Sequence, residues 1–361
     1  AGPRAGFGHL MRCRSLARAL GVTPLVSIRG TARTRAKAEA LGFTVIDAHW
    51  RPFKGGPAPG PPIKGGPTQS CVGSYAGSVS VGPPSVSVGP PSVSVGPPSV
   101  SVGPPFMGGR LPDLMVVDDP VHKSADAWVK QARRLGVPVA SIHDLGLAYV
   151  ESDLVIDGTI GVHGDMRGAQ FAILDPSIAT IRKELRPPVP GRVLIALGGG
   201  SHVLSLAGRL SKAIATRSPE ADIRVVRGFS GRPTPVLRHA TWVHAPNGLG
   251  GELADAQVAV VAGGVTLYEA CALGVPVVAL PVTAAQHMTV RAAACRGAAI
   301  DTGRPPVDDG MVSRAADAVA ALLQNPALRH RQSQAARAVV DGEGAARVAA
   351  RLRELVMRRA A

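Results

Sequence analysis

The sequence predicts an α/β chain of two doubly wound halves facing a cleft, with a Gly/Pro/Ser/Val repeat insert in the first half. Three observations carry this reading. Short apolar runs alternate with segments of helical period along most of the 361 residues. Glycine-rich turns recur where an apolar run hands over to a helix. A stiff Pro187-Pro188-Val189-Pro190 segment separates residues 1–186 from residues 191–361, and each part is long enough for its own core.

In the first half, helix 10–20 is followed by strand 24–28, helix 31–41 and strand 43–47. After the insert come strand 114–118, helix 124–135, strand 137–142 and a short strand 154–156. A domain of this kind ordinarily carries an apolar strand ahead of its first glycine turn. Only Ala1 to Ala5 precede Gly6, so the reading expects a chain truncated or misassigned at its start. In the second half, Arg192 to Leu197 leads into Gly198-Gly199-Gly200-Ser201 and a helical pattern. Val258 to Ala262 leads into Gly263-Gly264-Val265-Thr266 and a short helix that Gly274 closes as its C′ glycine. Strand 275–280 follows, and a helical pattern over 307–358 breaks near Asn325-Pro326 and around Gly342.

Residues 54–109 interrupt this alternation, and Ser78 to Pro105 is four copies of Ser-Val-Ser-Val-Gly-Pro-Pro. Paired prolines every seven residues break helix and ladder hydrogen bonding alike, so the heptad period is no coiled coil. The segment reads as an extended or disordered loop, either a proline-rich docking segment or a tandem duplication in a tolerant surface loop.

Lys and Arg total 40 against 25 Asp and Glu, a net charge of +15. A nucleic-acid partner is not expected, because the arginines are spread along the chain and aromatic residues that stack on bases are only 3%. The same charge would steer an anionic substrate inward. Cys13, Cys71, Cys271 and Cys295 form no C-x-x-C pair and read as buried thiols of a reducing cytoplasm. No membrane span, signal peptide, metal or cofactor is expected, and oligomeric state is left open.

The chemistry concentrates in the glycine turns. Gly6-Phe7-Gly8-His9-Leu10-Met11-Arg12 opens a helix, where backbone N–H groups and the positive helix end point at one spot. His9 adds a group able to move a proton near neutral pH. The alternative is a tight turn with a surface histidine. Asp118-Asp119 and His143-Asp144 end predicted strands; the aspartates would hold substrate hydroxyls or the attacking water, or cap the next helix. Gln286-His287 would bind a sugar or cap its helix. His122 and His163 have no evident partner.

The Gly-x-Gly-His-x-x-Arg opening, the Gly-Gly-Gly-Ser turn, the Ala-Gly-Gly-x-Thr-x-x-Glu-x-x-x-Leu-Gly-x-Pro block and the segment Val340 to Val348 resemble the UDP-sugar hydrolases of pseudaminic acid biosynthesis. They equally resemble the spore-coat polysaccharide SpsG proteins, cousins of the MurG-type glycosyltransferases. The likeness covers roughly residues 1–50 and 111–355 and implies two Rossmann-like domains in the GT-B arrangement. It implies a nucleotide-sugar hydrolase that releases UDP and a free amino-deoxy sugar, with His9 activating water. A GT-B glycosyltransferase moving the sugar to an acceptor is the alternative, and a truncated non-catalytic nucleotide-sugar-binding protein a further one. The resemblance assigns the nucleotide and its phosphates to Gly6, Gly8, Gly199, Gly200, Ser201, Gly263, Gly264, Val265, Thr266 and Glu269, with Glu269 on the ribose. Arg12, Asp118, Asp119, Gln286 and His287 are the candidate substrate contacts. The turn reads Gly-Gly-Val-Thr where serine is commoner, which bears on sugar identity more than on the nucleotide.

Overall fold

The computed structural model describes residues 8–28, 32–46, 111–144, 149–200, 202–228, 234–246 and 248–360. The insert 54–109 with its repeats, and Gly6, Ser201 and Cys71, lie outside the described residues.

The first half runs α1 (Gly8–Leu20), β1 (Leu25–Ser27), α2 (Ala32–Ala40), β2 (Thr44–Ile46), β3 (Met115–Val117), α3 (His122–Arg134), β4 (Val139–His143), β5 (Leu154–Asp157) and α4 (Pro176–Lys183). β1 and β2 pair in parallel, and β3, β4 and β5 form a second parallel sheet. α1 spans both: Leu10 packs with Val26, Ile28 and Phe43, while Leu16 packs with Val116, Ala140 and Ile142. β3 and β4 are buried along their whole length, as parallel strands covered on both faces must be. Asp175 caps α4 by accepting from the Ser177 N–H, and Pro176 occupies the first helical position, where a missing N–H costs nothing.

The second half is one parallel sheet of β6 (Arg192–Ala196), β7 (Asp222–Val226), β8 (Thr241–Val243), β9 (Val258–Val261), β10 (Val277–Ala279) and β11 (Ile300–Asp301), ordered β11-β10-β9-β6-β7-β8. The strand order reverses between β6 and β9. A crevice opens at such a switch point, beyond the strands' carboxyl ends. Both glycine turns, at 198–200 after β6 and at 263–264 after β9, sit there.

Helices cover both faces. α5 (His202–Arg217) and α9 (Asp309–Gln324) bury Val193, Ile195 and Val260, while α6 (Gly250–Asp255), α7 (Val265–Leu273), α8 (Ala284–Ala294) and α10 (Pro326–Val339) cover Leu194, Ala259 and Val261. Alternate strand residues therefore serve two cores. Gly274 takes φ 72°, and the N–H groups of Gly274 and Val275 satisfy the carbonyls of Cys271 and Ala270. That is the αL helix end expected of a C′ glycine.

The last helix, α11 (Gly344–Ala360), returns to the first half. Ala345, Val348, Ala349 and Leu352 join Leu16, Val116 and Ile142 in one core, and Arg353 donates to the free carbonyls of Ala19 and Leu20 at the end of α1. Gly344 lies against the Ala172 backbone so closely that any side chain would collide with it. Among the described residues no helix is long and apolar enough to cross a membrane, and no group of three or more His, Cys, Asp or Glu is arranged to hold a metal.

Candidate active site

A cleft of about 210 Å³ opens in the first half at the ends of β3 and β4 and the start of α1, lined by His9, Arg12, Asp118, Asp119, His143 and Asp144 among others. Its floor is a charged cluster. Asp118 is buried and accepts from His9 Nδ1 at 2.7 Å, from Arg12 Nε at 2.8 Å and from a terminal Arg12 nitrogen. The other terminal nitrogen of Arg12 reaches Asp144 Oδ2 at 2.7 Å. Burial pushes Asp118 upward, but Arg12 and His9 outweigh it and hold the carboxylate well below its ordinary pKa. Burial also disfavours the charge on Arg12, and Asp118 and Asp144 reverse that, so its pKa is raised.

An ionised carboxylate can only accept, so the proton on the facing ring nitrogen of His9 belongs to Nδ1. Nε2 of the neutral ring then carries the lone pair, and His9 lines the cleft. Gly8, the first residue of α1, would meet nothing if it carried a Cβ, so the space beside His9 is open. Asp119 takes a different part: its Oδ1 accepts from the Val121 N–H and shapes the entry to α3.

The crevice of the second half is built mainly from backbone. Gly263 lies under α8, where a Cβ would meet Gln286 O at 2.6 Å and Val290 Cγ2 at 2.8 Å, so only glycine fits. Gly264 precedes α7 and supplies no side-chain cap; the Leu267 N–H returns to the Gly264 carbonyl, and the helix start is of the kind that can bind an anion. Gly198 takes φ 87°, and the Gly199 backbone approaches Gly228 so closely that a Cβ there would lie 3.3 Å from it. Gly200 follows on the same rim, and Val265 and Thr266 open α7 with partial exposure. Glu269, one turn on, keeps slight solvent contact but is otherwise enclosed; burial, reinforced by the nearby charge of Asp175, raises its pKa from 4.5 to about 7. Gln286 Oε1 accepts from the Val282 N–H, and its amide nitrogen lies beside Gly264. His287 Nε2 is 3.4 Å from Asp301 Oδ2.

The structure thus brings His9, Arg12, Asp118 and Asp119 together at one cleft. Gly199, Gly200, Gly263, Gly264, Val265, Thr266, Glu269 and Gln286 gather at the other crevice, with His287 beside it on Asp301. The two halves touch where the Tyr268 hydroxyl of α7 accepts from the Ile160 N–H, just beyond β5. Arg12 is consumed by two carboxylates, a clamp on Asp118 more than an arm toward substrate.

Of the two histidines without a partner in sequence, His163 is exposed and away from the cleft, and the cleft holds His122 together with His143. His122 begins α3 on the cleft wall. His143 is buried, and its Nε2 lies 3.3 Å from the Val150 N–H; burial lowers its pKa. It packs edge-on to Tyr149, whose hydroxyl donates to Asp157 Oδ2 at 2.6 Å under the Arg167 guanidinium. Their position after strand ends was the available signal. The cysteines need correction. Cys271 is buried, but Cys13 is half-buried and Cys295 exposed, because Cys295 falls at the end of α8, where the chain turns outward.

No known family model matches the chain. It is 28% identical over 234 residues to the spore coat polysaccharide biosynthesis protein SpsG of Bacillus subtilis (strain 168), spanning 58% of this chain and 67% of that protein. It is 33% identical over 253 residues to the UDP-N-acetylglucosamine--N-acetylmuramyl-(pentapeptide) pyrophosphoryl-undecaprenol N-acetylglucosamine transferase of Sorangium cellulosum (strain So ce56), spanning 62% of this chain and 61% of that protein. Among solved structures, spinosyn rhamnosyltransferase SpnG superposes with a TM-score of 0.48 at 18% identity, over 68% of this chain and 72% of that one. Acinetobacter baumannii MurG gives 0.45 at 16%, over 66% and 73%.

Proposed function

We propose that the protein is a glycosyltransferase of the GT-B type that moves a sugar from a nucleotide-sugar to an acceptor hydroxyl. The second half holds the nucleotide, its phosphates at Gly199-Gly200 and Gly263-Gly264-Val265-Thr266 and its ribose at Glu269. His9 takes the proton from the incoming nucleophile. The observation that carries this reading is the His9–Asp118 pair in the first-half cleft. A buried, ionised aspartate fixes the tautomer and orientation of a histidine, whose free nitrogen then acts as a base. The nucleoside diphosphate leaves against backbone N–H groups and a helix N-terminus, so this chain's own residues supply the required stabilisation. Sequence similarity to a named N-acetylglucosamine transferase and to a polysaccharide biosynthesis protein supports transfer as the reaction.

The same pair would activate water, which keeps hydrolysis of a UDP-sugar to UDP and free sugar as the second reading. Product analysis separates the two. With UDP-N-acetylglucosamine as donor, transfer predicts that UDP release rises at least about tenfold when a glycan acceptor is added, with the sugar recovered on the acceptor. UDP and free sugar formed at one rate with or without acceptor would establish hydrolysis. Neither product from any UDP- or dTDP-sugar would overturn both.

A further inference from the structure

Asp175 sits where the two halves meet. Its Oδ1 caps α4, while its Oδ2 takes Arg18 at 2.6 Å and lies 3.9 Å from Arg14, both on α1. α1 is the helix whose first turns carry His9 and Arg12. On the other side α4 packs on α7, and Arg182 of α4 donates to the Ala272 carbonyl at 2.6 Å. After burial, the charge of Asp175 is the second cause that raises the Glu269 pKa. One acidic side chain touches the base-bearing helix directly, and the helix it caps packs on the helix that carries the ribose candidate.

We propose that Asp175 is a positioning residue that couples the two sites: it seats α1, and with it His9, through Arg18 and Arg14, and it opposes negative charge at Glu269. This rests on the reading of Glu269 as a nucleotide contact. The charged groups around the pair are Arg14 and Arg18 from α1 and Asp175 from α4; on α7's far end, Arg337 of α10 and Arg182 bind backbone carbonyls of Leu273 and Ala272. When a nucleotide's ribose hydroxyls donate to Glu269, the carboxylate must be ionised, and its repulsion of Asp175 is relieved most when Arg18 and Arg14 hold Asp175 tightly. Nucleotide binding then favours the seated position of α1. The same charge that orders the base weakens nucleotide binding in mild acid, so the two effects of removing it have opposite signs.

Asp175→Asn separates these effects, because asparagine caps a helix as well as aspartate while carrying no charge. The full chain is titrated with UDP by calorimetry at pH 6 and pH 8, and turnover is measured with a UDP-sugar. The expected result is a UDP affinity about two- to fivefold tighter than wild type at pH 6, little change at pH 8, and turnover lower by about tenfold or more. Arg18→Met, at a half-exposed position, should lower turnover by a similar factor without tightening UDP binding at pH 6. Affinity and turnover both unchanged in Asp175→Asn would overturn the proposal. Both falling together, with a lower melting temperature, would overturn it as well and leave only the helix cap. UDP affinity unchanged at every pH in Glu269→Gln would locate the failure in the nucleotide reading, and the coupling would fall with it.

Discussion

His9 Nδ1 lies 2.7 Å from Asp118 Oδ1, and these residues are 109 positions apart in the chain. The first turn of α1 supplies one and the end of β3 the other, so the pair exists only when α1 lies across the carboxyl end of the sheet. Arg12, one turn on from His9, outweighs the effect of burial and helps hold the aspartate well below its ordinary pKa. Orientation of the base therefore depends on a carboxylate, and the carboxylate on an arginine.

Replacing Asp118 by Asn should lower turnover by roughly 10²–10⁴-fold, because an amide no longer fixes the Nδ1–H tautomer of His9. UDP affinity should stay within about twofold, since the nucleotide is assigned to the other half. Arg12 would keep only Asp144 as an ionised partner, and losing one charge of a buried pair costs about 3–5 kcal/mol. Kinetics, calorimetry and thermal melts check the three parts. Parallel loss of UDP binding would move the nucleotide into the first-half cleft.

Glu269 and Asp118 should respond to pH in opposite senses. Asp118 has a depressed pKa in the folded protein, so its stabilising contribution is present above the ordinary aspartate range and is lost as the pH falls below it. Glu269 is raised from 4.5 to about 7, so the folded state favours its proton; its contribution is full below 4.5 and is lost as the pH rises through about 7. UDP affinity should increase across that same upper interval, because ribose hydroxyls donate to the ionised form. Glu269→Gln should flatten both the stability change and the affinity change between pH 5 and 8. A wild-type affinity independent of pH in that range would remove Glu269 from the ribose.

Much of this was legible in sequence for identifiable reasons. The runs at 193–197, 258–262 and 275–280 are apolar throughout because their strands are covered on both faces, and the glycines that flank them are required by close approach at Gly263 and by positive φ at Gly198 and Gly274. The inward placement of Arg12 and Arg14 was not legible. Amphipathic periodicity assigns arginine to the solvent face, and only the distant partners Asp118, Asp144 and Asp175 make burial affordable. The return of α11 was equally hidden, since a helix's own period shows that it has an apolar face but not which core receives it.

The two glycines of the α7 turn should behave differently. Gly264 has φ −101°, and a Cβ there would touch only the Gln286 amide nitrogen at 3.9 Å, so Gly264→Ala should fold with a melting temperature within a few degrees of wild type. Its methyl group would nonetheless stand over the N–H groups assigned to phosphate, and UDP affinity should fall by at least about tenfold. Gly263→Ala, pressed against the Gln286 carbonyl and Val290, should cost about 1–3 kcal/mol of stability as well. Wild-type UDP affinity in folded Gly264→Ala would place the phosphates elsewhere.

Leu352 of α11 tests whether the last helix holds the first half together. Its side chain is fully buried against the core of Leu16, Val116 and Ile142, and the next residue, Arg353, donates to the last carbonyls of α1. Leu352→Ala should cost about 2–5 kcal/mol, from lost transfer free energy and the cavity left behind. The loss should be local before it is global. Amide exchange should accelerate in α1 and in β3 to β5, while α5 and α9, which pack on the opposite half, keep their protection. Because α1 carries His9, turnover should fall more steeply with temperature than UDP binding does. Faster exchange confined to α5 and α9, with α1 unchanged, would show that α11 belongs energetically to the second half.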